Sequence, residues 1–67
     1  MGRYWFWLEV LGKIDSAELW REIERYDINL LDLDGIYIYG HLDLLSVAEV
    51  IGICCKYGTV KGDFYIK

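Results

Sequence analysis

Asp27-Ile28-Asn29-Leu30-Leu31-Asp32-Leu33-Asp34-Gly35-Ile36-Tyr37-Ile38-Tyr39-Gly40-His41 decides the fold. Apolar alternation runs on both sides of Asp34-Gly35. Asp-Gly between two such runs is a strong hairpin signal, because a type I′ turn needs positive φ at both central positions. The reading is β2 over Asp27–Leu33, a two-residue turn at Asp34-Gly35, and β3 over Ile36–His41. With that loop, Leu33 faces Ile36 and Leu31 faces Ile38 on one side of the hairpin. Asp32 faces Tyr37 and Leu30 faces Tyr39 on the other. The aliphatic side reads as core, and the side carrying Asp32, Tyr37, Tyr39 and His41 reads as an open face. A bulged turn would slip this register and swap part of the assignment.

Working outward, residues 3–11 (Arg-Tyr-Trp-Phe-Trp-Leu-Glu-Val-Leu) are rich in strand formers and read as β1. Asp15-Ser16-Ala17-Glu18 is a capping box, with Asp15 as N-cap and Glu18 reaching back. It opens an amphipathic helix of about three turns, with Leu19, Trp20 and Ile23 as its apolar stripe. Asp43 or Ser46 caps a second helix, whose expected buried stripe is Leu44, Val47, Ile51 and Cys54, with Ala48 and Cys55 beside it. Gly58 is placed as its C′ residue. Residues 59–67 alternate again as β4, with Val60, Gly62, Phe64 and Ile66 on one face and Thr59, Lys61, Asp63 and Tyr65 on the other. The order β-α-β-β-α-β predicts one α+β domain over residues 1–67, of ferredoxin-like plan. Its four-stranded antiparallel sheet has β1 and β3 central, β4 beside β1, β2 beside β3, and both helices on one face.

A chain of 67 residues that is 55% hydrophobic and 16% aromatic can build a small core, and some of its apolar surplus will not fit inside. The net charge of −4 opposes generic attraction to nucleic acid or anionic lipid. The opening Met1-Gly2-Arg3 leads into a strand, so no signal peptide is expected. No stretch is long and uncharged enough to span a bilayer. Cys54-Cys55 does not make a disulfide framework, and the expected location is cytoplasmic.

The surplus falls in a pattern. In an extended strand alternate side chains share a face, so Trp5, Trp7 and Glu9 point one way from β1, and Tyr37, Tyr39 and His41 point one way from β3. In the expected topology these strands are adjacent and central. Trp5, Trp7, Glu9, Tyr37, Tyr39 and, from β4, Tyr65 then form an uncovered ring-rich face. Cross-strand ring pairs stabilise a sheet by roughly 0.2–1 kcal/mol each, which does not account for so many rings on one uncovered face. The functional expectation is a non-enzymatic interaction or regulatory module that self-associates, or docks on a partner protein, through these residues.

The alternative is a small-ligand or single-stranded nucleic-acid binding domain that uses the same rings. Asp34-Gly35-Ile36-Tyr37-Ile38-Tyr39 lies where RNA-recognition-motif domains keep a longer octamer, and the resemblance implies base stacking on the two central strands. That octamer begins with Lys or Arg, whereas this stretch begins with Asp34, and Arg3, Lys61 and Lys67 are the bases near the face. The strand order also resembles that of ACT-type regulatory modules, which often bind an effector where two copies meet. That resemblance is one of fold and carries no site residues over.

Other chemistry is thin. His41, Cys54 and Cys55 are the candidate metal ligands, but adjacent cysteines on a helix point about 100° apart and do not chelate as Cys-x-x-Cys does. Cys54 reads as core, with Cys55 at its margin. Ser16, Ser46 and Thr59 read as capping or strand residues, no catalytic residue is expected, and no cofactor is implied. Glu9, an acid among rings, is expected to pair with Lys61 across β1 and β4.

Overall fold

The computed structural model describes the backbone of residues 2–66 and the side chains of residues 2–63. The elements are β1 (Arg3–Leu11), α1 (Ser16–Ile23), β2 (Ile28–Asp32), β3 (Ile36–Asp43), α2 (Leu44–Cys55) and β4 (Thr59–Ile66). The strands form one antiparallel sheet in the order β2-β3-β1-β4, giving an α+β architecture of four strands and two helices.

Helix starts are set by aspartates. The Asp15 carboxylate accepts the backbone N–H groups of Ala17 (3.0 Å) and Glu18 (3.4 Å). Asp43, rather than Ser46, caps α2 and accepts the Ser46 N–H at 2.8 Å. Each bond satisfies donors that the first helical turn leaves without a partner. At eight residues, α1 is shorter than its expected three turns.

One apolar cluster holds the layers together. Phe6, Leu8 and Val10 of β1, Ile28 of β2, and Ile36, Ile38 and Leu42 of β3 meet Leu19 and Ile23 of α1 and Val47, Val50 and Cys54 of α2. Each such aliphatic side chain contributes about 1.5–3 kcal/mol when fully buried. No polar or charged residue is buried among the described residues. The α2 stripe differs from the expected one. Val50 is fully buried, whereas Leu44 is exposed and Ile51 only half-buried. With strand β3 running on to Asp43, Leu44 falls in the first helical turn, beyond the end of the core. Cys55 is exposed rather than marginal.

The hairpin also differs, and this matters for the site. Leu30 pairs with Ile38, Leu31 with Tyr37 and Asp32 with Ile36, one residue out of step with the expected register. The loop is Leu33-Asp34-Gly35, closed by Leu33 N–H donating to the Gly35 carbonyl at 3.0 Å. Neither Asp34 nor Gly35 has the positive φ of a type I′ turn. The slip puts Ile28 and Leu30 on the helix side and leaves Asp32 at its rim, where it accepts the Ser16 hydroxyl at 2.7 Å. Leu31 and Leu33, expected in the core, are turned out instead.

Two tyrosines clasp the helices. Tyr57, just past α2, donates its hydroxyl to Glu22 of α1. Tyr26, just past α1, donates to Glu49 of α2 at 2.6 Å. The Tyr57 bond to Glu22 pushes the phenol up to about 12 and holds Glu22 below the usual carboxylate range, with Lys56 at 3.5 Å helping. Gly58 lacks the left-handed conformation expected of a C′ residue. Glycine is required there because a Cβ would collide with the Leu11 carbonyl oxygen.

Candidate functional site

Directly opposed residues of antiparallel strands share a face, so the register maps the side of the sheet that the helices do not cover. Across β2-β3-β1-β4 its first row is Leu31, Tyr37, Glu9 and Lys61. The second is Asn29, Tyr39, Trp7 and Asp63, and the third carries His41 and Trp5. Arg3 and Asp43 close the far end. The slipped β2 register leaves Tyr37 and Tyr39 on this face, because β3 takes its orientation from β1.

The rings are uncovered to a degree unusual for their size. Trp5 is 40% exposed, Trp7 43% and Tyr39 40%, joined by Leu31 at 44% and Leu33 at 71%. Trp5 and His41 stack, with ring centroids 4.4 Å apart and planes 6° from parallel. His41 Nε2 is buried and has no hydrogen-bond partner among the described residues. Arg3 donates its guanidinium to the His41 carbonyl and ties the end of β1 to β3. Tyr37 reaches Glu9 with a long 3.4 Å hydroxyl contact. The Glu9 charge, together with burial and the Asp34 charge, raises the Tyr37 pKa, because a phenolate would stand beside two carboxylates. Glu9 therefore engages Tyr37. Lys61 stands opposite it in register, but among the described residues no ion pair joins them.

Of the residues expected on this face, Trp5, Trp7, Glu9, Tyr37 and Tyr39 come together. The Tyr65 backbone stands opposite Trp5, but its side chain lies outside the described residues, as do those of Phe64 and Ile66. Leu31 and Leu33 belong to the face and were assigned to the core by the expected register. The signal for them is the competing alternation of Ile28 and Leu30, with Asp32 next in phase. His41 lies on the open side while Cys54 is in the core on the other, so the three candidate metal ligands do not converge. Among the described residues no group of three metal-binding side chains does so. No helix among the described residues is long and apolar enough to cross a membrane.

Charges stand around the rings rather than among them, with Arg3 and Asp43 at one end, Glu9 and Asp34 at the other, and Lys61 and Asp63 on the β4 edge. An apolar centre with a polar rim is the anatomy of a protein interface. No family model, curated protein or solved structure matches the chain.

Proposed function

We propose that this chain is a ferredoxin-like interaction module that works by self-association, with the open faces of two copies packed against each other. The plan is supported by the β-α-β-β-α-β element order and the neighbour order β2-β3-β1-β4. The observation that carries the function is the patch itself: Trp5, Trp7, Tyr39 and Leu31, each two-fifths exposed or more, on adjoining strands with no element over them among the described residues. A second copy is a fitting cover because the patch has its own complement. A twofold interface sets each patch against itself, ring on ring at the centre and charges of both signs at the rim.

The size is adequate. Four strands about 4.8 Å apart and about eight residues at roughly 3.3 Å each give on the order of 500 Å² in projection. With side-chain relief this approaches the roughly 800 Å² per partner of a stable interface. Nucleic acid is a poorer cover, because Glu9, Asp34, Asp43 and Asp63 surround the rings and repel a phosphate backbone.

The test is the double variant Trp5→Ser/Trp7→Ser. Sedimentation equilibrium is expected to show assembled wild-type protein and a monomeric variant, with the helical circular-dichroism signal retained in both. A variant that folds and assembles as the wild type does contradicts the proposal.

A further inference from the structure

In the first row of the open face the acids stand toward the β2 side and Lys61 at the β4 edge. At the β2 edge a groove of about 460 Å³ is lined by Trp7, Leu31, Leu33, Asp34 and Tyr37. Glu9 adjoins it through the Tyr37 hydroxyl. The charges of Glu9 and Asp34 both oppose ionisation of Tyr37, so the potential there is negative. The faces of Trp and Tyr rings present the negative part of their quadrupole. Two leucines supply an apolar wall. Carboxylates, ring faces and aliphatic wall in one groove suit a cation carried on a hydrocarbon stem, the shape of a lysine side chain. At the β4 edge of the same row stands Lys61, which is exposed and, among the described residues, in no ion pair.

Building on the face-to-face reading above, we propose that two copies pack about a twofold axis parallel to the strands, seating Lys61 of each copy in the groove of the other. An axis in that direction lays β4 of one copy over β2 of the other and β1 over β3, and keeps every row opposite itself. The partner's Lys61 then lies over Leu31 and Tyr37, with its stem on Leu31 and Leu33 and its ammonium toward Asp34. Trp7 faces the partner's Tyr39 at the centre. An axis at right angles to the strands lays β4 over β4. Each Lys61 then stays at its own edge and both grooves are empty. The charge pattern distinguishes the two arrangements, and the first is within the range of aligned sheet packing.

The experiment compares dimer dissociation constants of the full chain by sedimentation at moderate salt. The set is wild type, Lys61→Glu, Asp34→Lys, the double Asp34→Lys/Lys61→Glu, and Lys13→Glu. Lys13→Glu makes the same charge change as Lys61→Glu on an exposed residue of the β1–α1 connection, outside the strands of the face. Each dimer holds two seats, so Lys61→Glu and Asp34→Lys are each expected to weaken it about tenfold or more. The double variant is expected to regain most of the loss, and Lys13→Glu to change little. If the wild type dimerises but Lys61→Glu behaves like Lys13→Glu, or the double variant is no tighter than the singles, this arrangement is overturned while face-to-face association stands. A wild type that is monomeric throughout overturns both. Circular dichroism on every variant separates loss of folding from loss of contact.

Discussion

The two faces of the sheet are made by the same strands, one residue apart, and they differ in kind. On the helix side Phe6, Leu8, Val10, Ile36, Ile38 and Leu42 are buried and, Phe6 apart, aliphatic. They interdigitate with both helices and need nothing further. On the open side the alternate positions carry Trp5, Trp7, Tyr37, Tyr39 and His41, and among the described residues no element covers them. A small domain has too little interior for all of its apolar surface. Here the exposed rings are sorted onto one face with charges around them, whereas Leu44 and Leu45 stay exposed at the start of α2. Aliphatic side chains fill a core at well-defined rotamers, whereas large flat rings provide contact area with little rotamer entropy to lose. On the proposed reading, the difference between the faces is one between holding a fold and holding a neighbour.

The sharpest way to break this comparison is to damage each face in turn. Ile38, at the centre of the helix side, is fully buried. Ile38→Ala is expected to cost about 2–5 kcal/mol of folding stability, read by urea denaturation. Trp7→Ser, one strand away on the other face, is expected to leave the unfolding midpoint of the monomer far less changed. Equal losses would mean that the rings serve the fold and not a partner.

A smaller effect sharpens the picture of the open face. His41 stacks on Trp5, and its Nε2 is buried without a hydrogen-bond partner among the described residues. An unsatisfied buried polar atom costs about 1–3 kcal/mol. His41→Phe keeps a ring for Trp5 to stack on and removes the orphan atom. Thermal unfolding is expected to shift upward, by the equivalent of about 1 kcal/mol. A drop would show that Nε2 has a partner the protein depends on.

The smallest effect belongs to the helix side. Tyr57 is held neutral by Glu22, with its pKa raised to about 12 from an ordinary 10. A raised folded-state pKa gives stability that is complete below the unfolded value and is lost as pH rises through the folded one. Stability is thus expected to decline between about pH 10 and 12, and Tyr57→Phe to remove that part of the decline. Glu22 has the opposite sign. Its lowered pKa gives stability present at neutral pH and lost as pH falls through the folded value. A pH–stability profile unchanged by Tyr57→Phe would show that the clasp between the helices does not matter.

Much of this contrast was legible in the sequence, because β1 and β3 alternate without ambiguity and Asp15 marks the start of α1, while the α2 cap stood open between Asp43 and Ser46. What was not legible had physical causes. In Ile28-Asn29-Leu30-Leu31-Asp32-Leu33 two apolar alternations overlap, one through Ile28 and Leu30 and the other through Leu31 and Leu33. The choice between them depended on loop length and on the Ser16 hydroxyl waiting for Asp32. Asp34-Gly35 suggested a two-residue turn, and the chain uses three. The α2 helix is apolar nearly all round, with Leu44, Leu45, Val47, Val50, Ile51 and Ile53, so periodicity alone did not say which stripe faces the sheet. The first of these ambiguities hid Leu31 and Leu33 from the open face and so hid the groove.

The most direct test of the division between the faces is the mass of the wild-type protein by light scattering over a wide concentration range. A mass of twice the chain's 7.9 kDa, falling toward 7.9 kDa on dilution, is the expected result. A mass that stays at 7.9 kDa at the highest concentration reached would contradict self-association through the open face.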